Sequence, residues 1–247
     1  MEKVAIITGA SSGIGYALAK KFKKEGFKVI NLSRRDCNIS DINISVDLTS
    51  LEDISAALGN LLDKIDRVDV LVNNAGIGLY ESWEDLNIED LRYTFELNFF
   101  TPVILVKTLL PMLKETKGTI INVSSVAGKL YVPFMGPYCA TKFALNAFSD
   151  SLRAELKPYK VHVLNLIIGR INTGFSKRAL GTKITPSTPS LGATSDKLAE
   201  KTYKAYLKKK REIVYPFWYK YLISLAKFLP STYDKVALEK WIGEYEN

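Results

Sequence analysis

The chain has 247 residues, 47% of them hydrophobic, and a formal net charge of +8. This length and composition suit one large α/β domain, so residues 1–247 are expected to fold as a single unit. The sequence has neither about 18 uninterrupted apolar residues nor an N-terminal secretion signal, which disfavours a membrane-spanning or secreted protein and makes a cytoplasmic one the expectation.

Cysteine, histidine and charge patterns argue against several kinds of site. Cys37 and Cys139 lack a metal or redox spacing, so reduced thiols and no metal site are expected. His162, the only histidine, lies inside a predicted strand and is interpreted as structural. Part of the excess positive charge falls in residues 208–211, which we interpret as a solvated helix end, so no nucleic-acid partner is predicted.

Apolar runs alternate with helical periodicities over the first two thirds of the chain. Several of the runs are continuous in Val, Ile and Leu, as in strands that are buried on both faces. Such alternation implies right-handed crossovers and therefore a doubly wound parallel sheet, a Rossmann fold. Strands are predicted at 3–8, 28–33, 42–46, 68–73, 118–124 and 160–167, and helices at 13–25, 51–64, 88–114 and 137–157.

The composition changes after residue 168, where the predicted cofactor-binding and catalytic core, residues 1–168, ends. Residues 169–194 are rich in Gly, Ser, Thr and Pro and are predicted to form a substrate lid. Residues 195–247 are predicted to complete a substrate pocket or an oligomer contact, with a helix at 195–210 and a strand at 212–215.

An aromatic stretch at 216–230 has three possible roles. It can form an apolar pocket wall, an oligomer surface, or an amphipathic segment on a membrane with Lys220 and Lys227 near the headgroups. Packing against the body or a second subunit is the favoured interpretation, and membrane contact is the disfavoured one.

A glycine-rich turn at residues 8–15 follows the first predicted strand and opens the first helix. Gly9, Gly13 and Gly15 permit a tight turn and close backbone approach, while the hydroxyls of Ser11 and Ser12 can donate hydrogen bonds. In a doubly wound sheet this turn delivers phosphates to a helix N-terminus, so a dinucleotide site is predicted. A glycine turn without a ligand is the alternative.

Tyr138 and Lys142 lie four residues apart in a predicted helix and therefore share one face. A free phenol has a pKa of about 10 and is a poor acid or base at neutral pH. A neighbouring ammonium favours the phenolate, so Lys142 is expected to lower the pKa of Tyr138 towards the working range of a proton shuttle. The pair alone is weak evidence, because the same spacing occurs on many solvated helix faces.

Five motifs in the right order make the chain resemble the short-chain dehydrogenase/reductase family over residues 3 to about 173. The glycine turn has that family's T-G-x-x-x-G-x-G form, residues 73–76 read N-N-A-G, and Asn98 lies in the long helix. Ser125 ends the fifth strand, thirteen residues before Tyr138. The resemblance implies an oxidoreductase that transfers a hydride between a nicotinamide cofactor and a small-molecule carbonyl or alcohol.

The resemblance also implies a role for each matching residue. Tyr138 is the general acid in carbonyl reduction and the base in alcohol oxidation, and Lys142 lowers its pKa and binds the nicotinamide ribose. Ser125 orients the substrate oxygen, with Ser124 as the alternative, and Asn98 holds a water that relays protons to Lys142. Cofactor contacts are expected from Gly9, Ser11, Ser12, Gly13, Ile14, Gly15, Arg34, Arg35, Asp47, Leu48, Asn74, Ala75, Gly76, Tyr138, Lys142, Gly169, Ile171 and Thr173.

The end of the second strand decides the nicotinamide cofactor. Ser33 stands where NAD-preferring relatives carry an acid, and the Arg34 guanidinium can pair with a 2′-phosphate, so NADP(H) is predicted. A register slip that brings Asp36 to the ribose would favour NAD(H) instead. Asp47 resembles an adenine-contacting residue, although it can also simply cap the next turn.

Two expectations remain from the resemblance. Relatives commonly dimerise or tetramerise through the two long helices, so a homodimer or homotetramer is expected. Relatives also carry Pro-Gly where this chain has Ile168 and Gly169, which removes the residue that would fix the turn.

The alternative function is a non-catalytic NADP(H)-sensing protein, but the complete set of Asn98, Ser125, Tyr138 and Lys142 favours an enzyme.

Overall fold

A computed structural model describes residues 2–184 and 193–245 of the chain, and its order of elements is the alternation expected from the sequence. The strands are β1 (Lys3–Thr8), β2 (Phe27–Leu32), β3 (Ile42–Ile44), β4 (Val70–Asn73), β5 (Thr119–Ser125), β6 (His162–Ile168) and β7 (Glu212–Tyr215). The helices are α1 (Gly13–Lys24), α2 (Leu51–Leu62), α3 (Ile88–Phe95), α4 (Thr101–Thr116), α5 (Gly136–Leu156), α6 (Ser195–Leu207), α7 (Tyr219–Phe228) and α8 (Pro230–Tyr245).

The strands form one seven-stranded sheet in the order β3-β2-β1-β4-β5-β6-β7, and every pairing is parallel. Successive side chains of a strand point to opposite faces, so each strand feeds two cores. Val4 and Ile6 of β1 pack with α2, α4 and α5, whereas Ala5 and Ile7 pack with α1 and α6. This arrangement confirms the predicted doubly wound Rossmann fold.

The predicted helix at 88–114 is interrupted by a π-helical turn at Glu96–Phe100, between α3 and α4. Pro102 has no N–H group to donate to the carbonyl of Asn98, four residues earlier, which breaks the α-helical ladder at this point. The run Ile88–Thr116 is the described segment that is long and apolar enough to cross a membrane by length and composition. In the fold, its residues Leu105 and Leu109 are fully buried in the core.

Part of the predicted lid is attached to the body. The chain at Leu180 pairs with Leu79, and the Glu81 carboxylate accepts hydrogen bonds from the backbone N–H and hydroxyl of Thr182, at 2.8 and 2.7 Å. Residues 185–192 of the predicted lid lie outside the described residues.

The aromatic stretch at 216–230, for which no helix was predicted, contains α7, and α8 follows it. Tyr219, Leu222, Ile223 and Ala226 turn one face of α7 towards the sheet, where they pack with Ile167 and Val126. The helix pair covers the carboxyl ends of the last strands and so closes one side of the site.

Candidate active site

A cavity of about 690 Å³ extends along the carboxyl ends of the central strands. Its walls combine the glycine turn, the ends of β2, β4, β5 and β6, the start of α5, and the α7–α8 pair. All predicted site residues line this cavity except Gly15 and Asn98. The topology therefore brings together residues that are far apart in the sequence.

The glycine turn forms a cradle that other residues would fill. Gly9 and Gly13 have φ angles of +67° and +57°, in the left-handed region that glycine adopts freely. A Cβ on Gly15 would lie 2.2 Å from the carbonyl oxygen of Gly9, so Gly15 serves close packing of helix on turn rather than contact with a ligand. Ser12 starts α1 without a side-chain cap, and no acid occupies the first helical turn, which suits an incoming phosphate.

Two guanidinium groups stand beside this turn. Arg34 and Arg35 are exposed and line the cavity, and the Arg35 Nη2 lies 3.4 Å from the Ser12 hydroxyl oxygen. Asp36 is exposed and is not among the described lining residues. Hydrogen bonds from the backbone and hydroxyl of Thr49 hold the pKa of Asp47 below its ordinary value, and the charge of Arg34 adds to this effect. Asp47 therefore both lines the cavity and caps the next turn.

Hydrogen bonds fix the N-N-A-G segment against the glycine turn. The Thr8 hydroxyl accepts the N–H groups of Asn74 and Ala75, both at 2.9 Å, while the Asn74 side-chain amide donates to the Thr8 carbonyl at 2.8 Å. A Cβ on Gly76 would lie 3.0 Å from the Asn98 Oδ1 and 3.7 Å from the Lys142 Nζ. Gly76 thus leaves the floor of the cavity open beside the lysine.

Tyr138 and Lys142 occupy successive turns of α5, and both point into the cavity. Both side chains are buried, with residue exposures of 7% and 4%. The Lys142 ammonium donates to the carbonyl of Val123 on β5 at 3.1 Å and lies 5.8 Å from the centre of the Tyr138 ring. The predicted juxtaposition of amine and phenol is therefore present in the fold.

Ser125 completes this group from the end of β5. Its hydroxyl oxygen accepts the N–H of Ala127 at 3.1 Å, which leaves the O–H free to donate. A hydrogen bond with Ser125 lowers the pKa of Tyr138, as expected of a donor to the phenol oxygen. Ser124 also lines the cavity, and its buried hydroxyl has no hydrogen-bond partner among the described residues.

The expected lowering of the Tyr138 pKa by Lys142 is wrong for this structure. Burial raises the pKa of Tyr138 well above its ordinary value, Tyr80 raises it further, and Ser125 supplies the opposing effect. Burial also lowers the pKa of Lys142, from 10.5 to about 8. Desolvation disfavours the charged form of both groups.

Asn98 lies in the π-helical turn, behind the cavity wall. Its Oδ1 accepts the N–H of Ile77 at 2.9 Å, and its Nδ2 donates to the Ile77 carbonyl and the Thr141 hydroxyl at 2.8 and 3.1 Å. The side chain thus fixes the segment after Gly76 against α5. Pro102 leaves the backbone carbonyl of Asn98 without an α-helical donor.

Comparisons with known proteins agree with this geometry. A family model described as short chain dehydrogenase matches residues 3–183. The chain belongs to the short-chain dehydrogenase/reductase family. It is 39% identical over 187 residues to a probable short-chain type dehydrogenase/reductase, VdlC, of Helicobacter pylori, covering 71% of this chain and 68% of that protein. It is 36% identical over 177 residues to a 3-ketodihydrosphingosine reductase of Bacteroides thetaiotaomicron, covering 70% and 66%.

Solved structures of short-chain dehydrogenases with either nicotinamide cofactor resemble this chain. An alcohol dehydrogenase from the archaeon Thermococcus sibiricus, complexed with 5-hydroxy-NADP, is 26% identical with a TM-score of 0.75, covering 87% of this chain and 96% of that one. A 3-ketoacyl-(acyl-carrier-protein) reductase from Brucella melitensis, complexed with NADH, is 28% identical with a TM-score of 0.77, covering 86% and 96%. Nicotinamide binding is therefore common to these neighbours, whereas the choice of cofactor varies.

Aromatic residues from distant segments were missed by the sequence analysis of this short-chain dehydrogenase/reductase. The ring centre of Tyr80 lies 6.4 Å from that of Tyr138, and the ring centre of Phe175 lies 5.9 Å from it. A Cβ on Gly169 would lie 1.9 Å from the ring of Tyr219, so the close approach of this ring requires a glycine at position 169. For Tyr219, the aromatic run at 217–221 was the available signal, but the sequence does not reveal which residues this run packs against.

Proposed function

We propose that this short-chain dehydrogenase/reductase is an NADP(H)-dependent carbonyl reductase that uses Tyr138 as the general acid. The observation that carries the proposal is that Ser125, Tyr138 and Lys142 share one cavity with the glycine turn and with the arginines at the end of β2. The set combines a proton donor, a hydrogen-bond donor and a cation beside a dinucleotide cradle.

The protein residues supply the proton and the orientation. Burial keeps the Tyr138 phenol protonated at neutral pH, so the phenol is ready to donate its proton to a substrate oxygen. The Ser125 hydroxyl can donate to the same oxygen as charge develops on it. When bound, the reduced nicotinamide supplies the hydride that adds to the carbonyl carbon. These roles favour the direction of reduction.

The cavity has complementary groups for the phosphorylated cofactor. The glycine turn and the start of α1 would hold the pyrophosphate, Lys142 would hold the nicotinamide ribose, and Arg34 with Arg35 would hold a 2′-phosphate. Among the described lining residues Asp47 is the one acid, and its carboxylate already accepts two hydrogen bonds from Thr49. This charge balance supports NADPH over NADH.

We further propose a cytoplasmic homodimer or homotetramer. Phe100 and Phe143 are exposed at the π-helical turn before α4 and on α5, where a second copy could cover them. Both cysteines are free and buried, which suits a reducing compartment, and burial raises the pKa of Cys139 to about 11, so its thiol stays protonated.

A screen of NADPH consumption by the full chain tests this function. The panel should contain short and long aldehydes, ketones and acyl thioesters, each measured with NADPH and with NADH. We expect turnover of at least one carbonyl class, with a higher kcat/KM for NADPH. Tight NADPH binding without turnover of any member would favour the cofactor-sensing alternative.

A further inference from the structure

One face of α7 is apolar and faces solvent. Tyr221, Leu225 and Phe228 recur at spacings of four and three residues and so share one face of α7. Phe217 lies four residues before Tyr221, in the turn that precedes the helix. In sequence order, their exposures are 69, 72, 55 and 83%. We call these four residues the α7 stripe. The opposite face of α7 packs on the sheet, so the stripe is not needed to bury the helix.

Positive charge accompanies the stripe. Lys220 and Lys227 are exposed and directly precede Tyr221 and Phe228 in the sequence. They lie seven positions apart, so both flank the same edge of the stripe. The sequence of α7 contains no acid. On α8, the two acids described both have partners, since Asp234 accepts from the Tyr131 hydroxyl at 2.7 Å and Glu239 pairs with Lys235 at 3.9 Å.

The cavity opens onto this surface. Leu225, Leu229 and Val236 line the cavity and are also more than half exposed, so they form its rim. The exposed side chains of Arg178 and Lys240 belong to the same lining. Leu225 of the stripe, the apolar rim and Tyr138 therefore line one cavity.

We propose that the α7 stripe docks on an anionic lipid bilayer, and that the cavity takes long-chain carbonyl compounds from that bilayer. An interfacial helix places its apolar face at the acyl boundary and its lysines at anionic headgroups, which is the arrangement of α7. A second copy of the chain on this face would cover the rim of the cavity, whereas a bilayer would deliver apolar molecules to it. The docking on the bilayer is independent of the proposed carbonyl reduction, whereas the proposed substrate class rests on that reduction.

Vesicle co-sedimentation of the full chain tests the docking. Vesicles of phosphatidylcholine with phosphatidylglycerol should bind the protein, and vesicles of phosphatidylcholine alone should bind it less. Phe228→Ser should weaken binding at least about tenfold, because it removes a largely exposed aromatic side chain that the bilayer would bury. Lys220→Gln and Lys227→Gln should each weaken it roughly fivefold, with a salt-sensitive loss. Leu51→Ser, at an exposed leucine on α2, is the matched control and should bind as the wild type does.

Activity assays separate this proposal from the proposed function. Phe228 and Lys220 do not line the cavity, so their variants should reduce a water-soluble ketone at the wild-type rate. With 2-dodecanone presented in anionic vesicles, Phe228→Ser should lose most of the turnover and Leu51→Ser should keep it. Turnover of soluble ketones without any vesicle binding would overturn the docking alone. A shift of Phe228→Ser from dimer to monomer in light scattering, with vesicle binding unchanged, would assign the stripe to a second copy and also overturn it.

Discussion

Replacing Lys142 with Met should stabilise the fold while it destroys the site. Burial lowers the pKa of Lys142 from 10.5 to about 8, so keeping this ammonium charged costs the folded protein about 3 kcal/mol at neutral pH. The substitution also removes the hydrogen bond to the Val123 carbonyl, a loss of about 1 kcal/mol. The net expectation at pH 7 is a gain of about 2 kcal/mol in the free energy of unfolding, or a few degrees in Tm.

The advantage of Lys142→Met should shrink as the pH rises. Between about pH 8 and 10.5 the unfolded chain holds a proton on this lysine that the folded protein has released. The stability of the wild type therefore increases with pH over this window relative to the variant. Urea unfolding at pH 7 and pH 10 measures the effect, and Lys64→Met, at an exposed turn, is the matched control. Equal stability of wild type and Lys142→Met at pH 7, with no relative change at higher pH, would refute the reasoning.

Three further outcomes follow from the site. Gly15→Ala should lower the free energy of unfolding by about 2 kcal/mol or more and weaken NADPH binding, because the new Cβ would meet the Gly9 carbonyl. The control Gly59→Ala, which has open space on α2, should stabilise the fold by up to about 1 kcal/mol. Thermal unfolding and titration with NADPH check both variants. Arg34→Asp should raise the KM for NADPH far more than that for NADH, and an unchanged ratio would contradict the assignment of the 2′-phosphate. Ser125→Ala should lower kcat about 100-fold with little change in the Kd for NADPH, so an equal loss in both would indicate a structural role.

The fold could be predicted because its signals are local. Strands such as β1 and β4 carry continuous apolar runs, and the glycine turn needs no distant partner to be recognised. Parallel strands also end at one edge of the sheet, so motifs at strand ends converge whatever their separation in sequence. The cavity therefore contains nearly all of the predicted residues.

The remaining features depend on contacts between distant segments. The pKa of Tyr138 depends on its burial, and Tyr80 and Phe175 pack against its ring from other parts of the chain. The α7–α8 pair is defined by packing on Ile167 and Val126, which an aromatic run does not reveal. The π-helical turn did have a local signal, since Pro102 interrupts the helical periodicity. The position of Asn98 behind the cavity wall, however, depends on contacts with distant segments of the chain.

Single-turnover reduction with Tyr138→Phe tests the central claim most directly. The variant keeps the ring and removes the hydroxyl that is proposed to donate the proton, so NADPH affinity should stay within about twofold while the rate falls about 100-fold or more. Tyr16→Phe, on α1 and outside the cavity lining, is the matched control and should react as the wild type does. A Tyr138→Phe protein that reduces the carbonyl at the wild-type rate would contradict the assignment of Tyr138 as the acid.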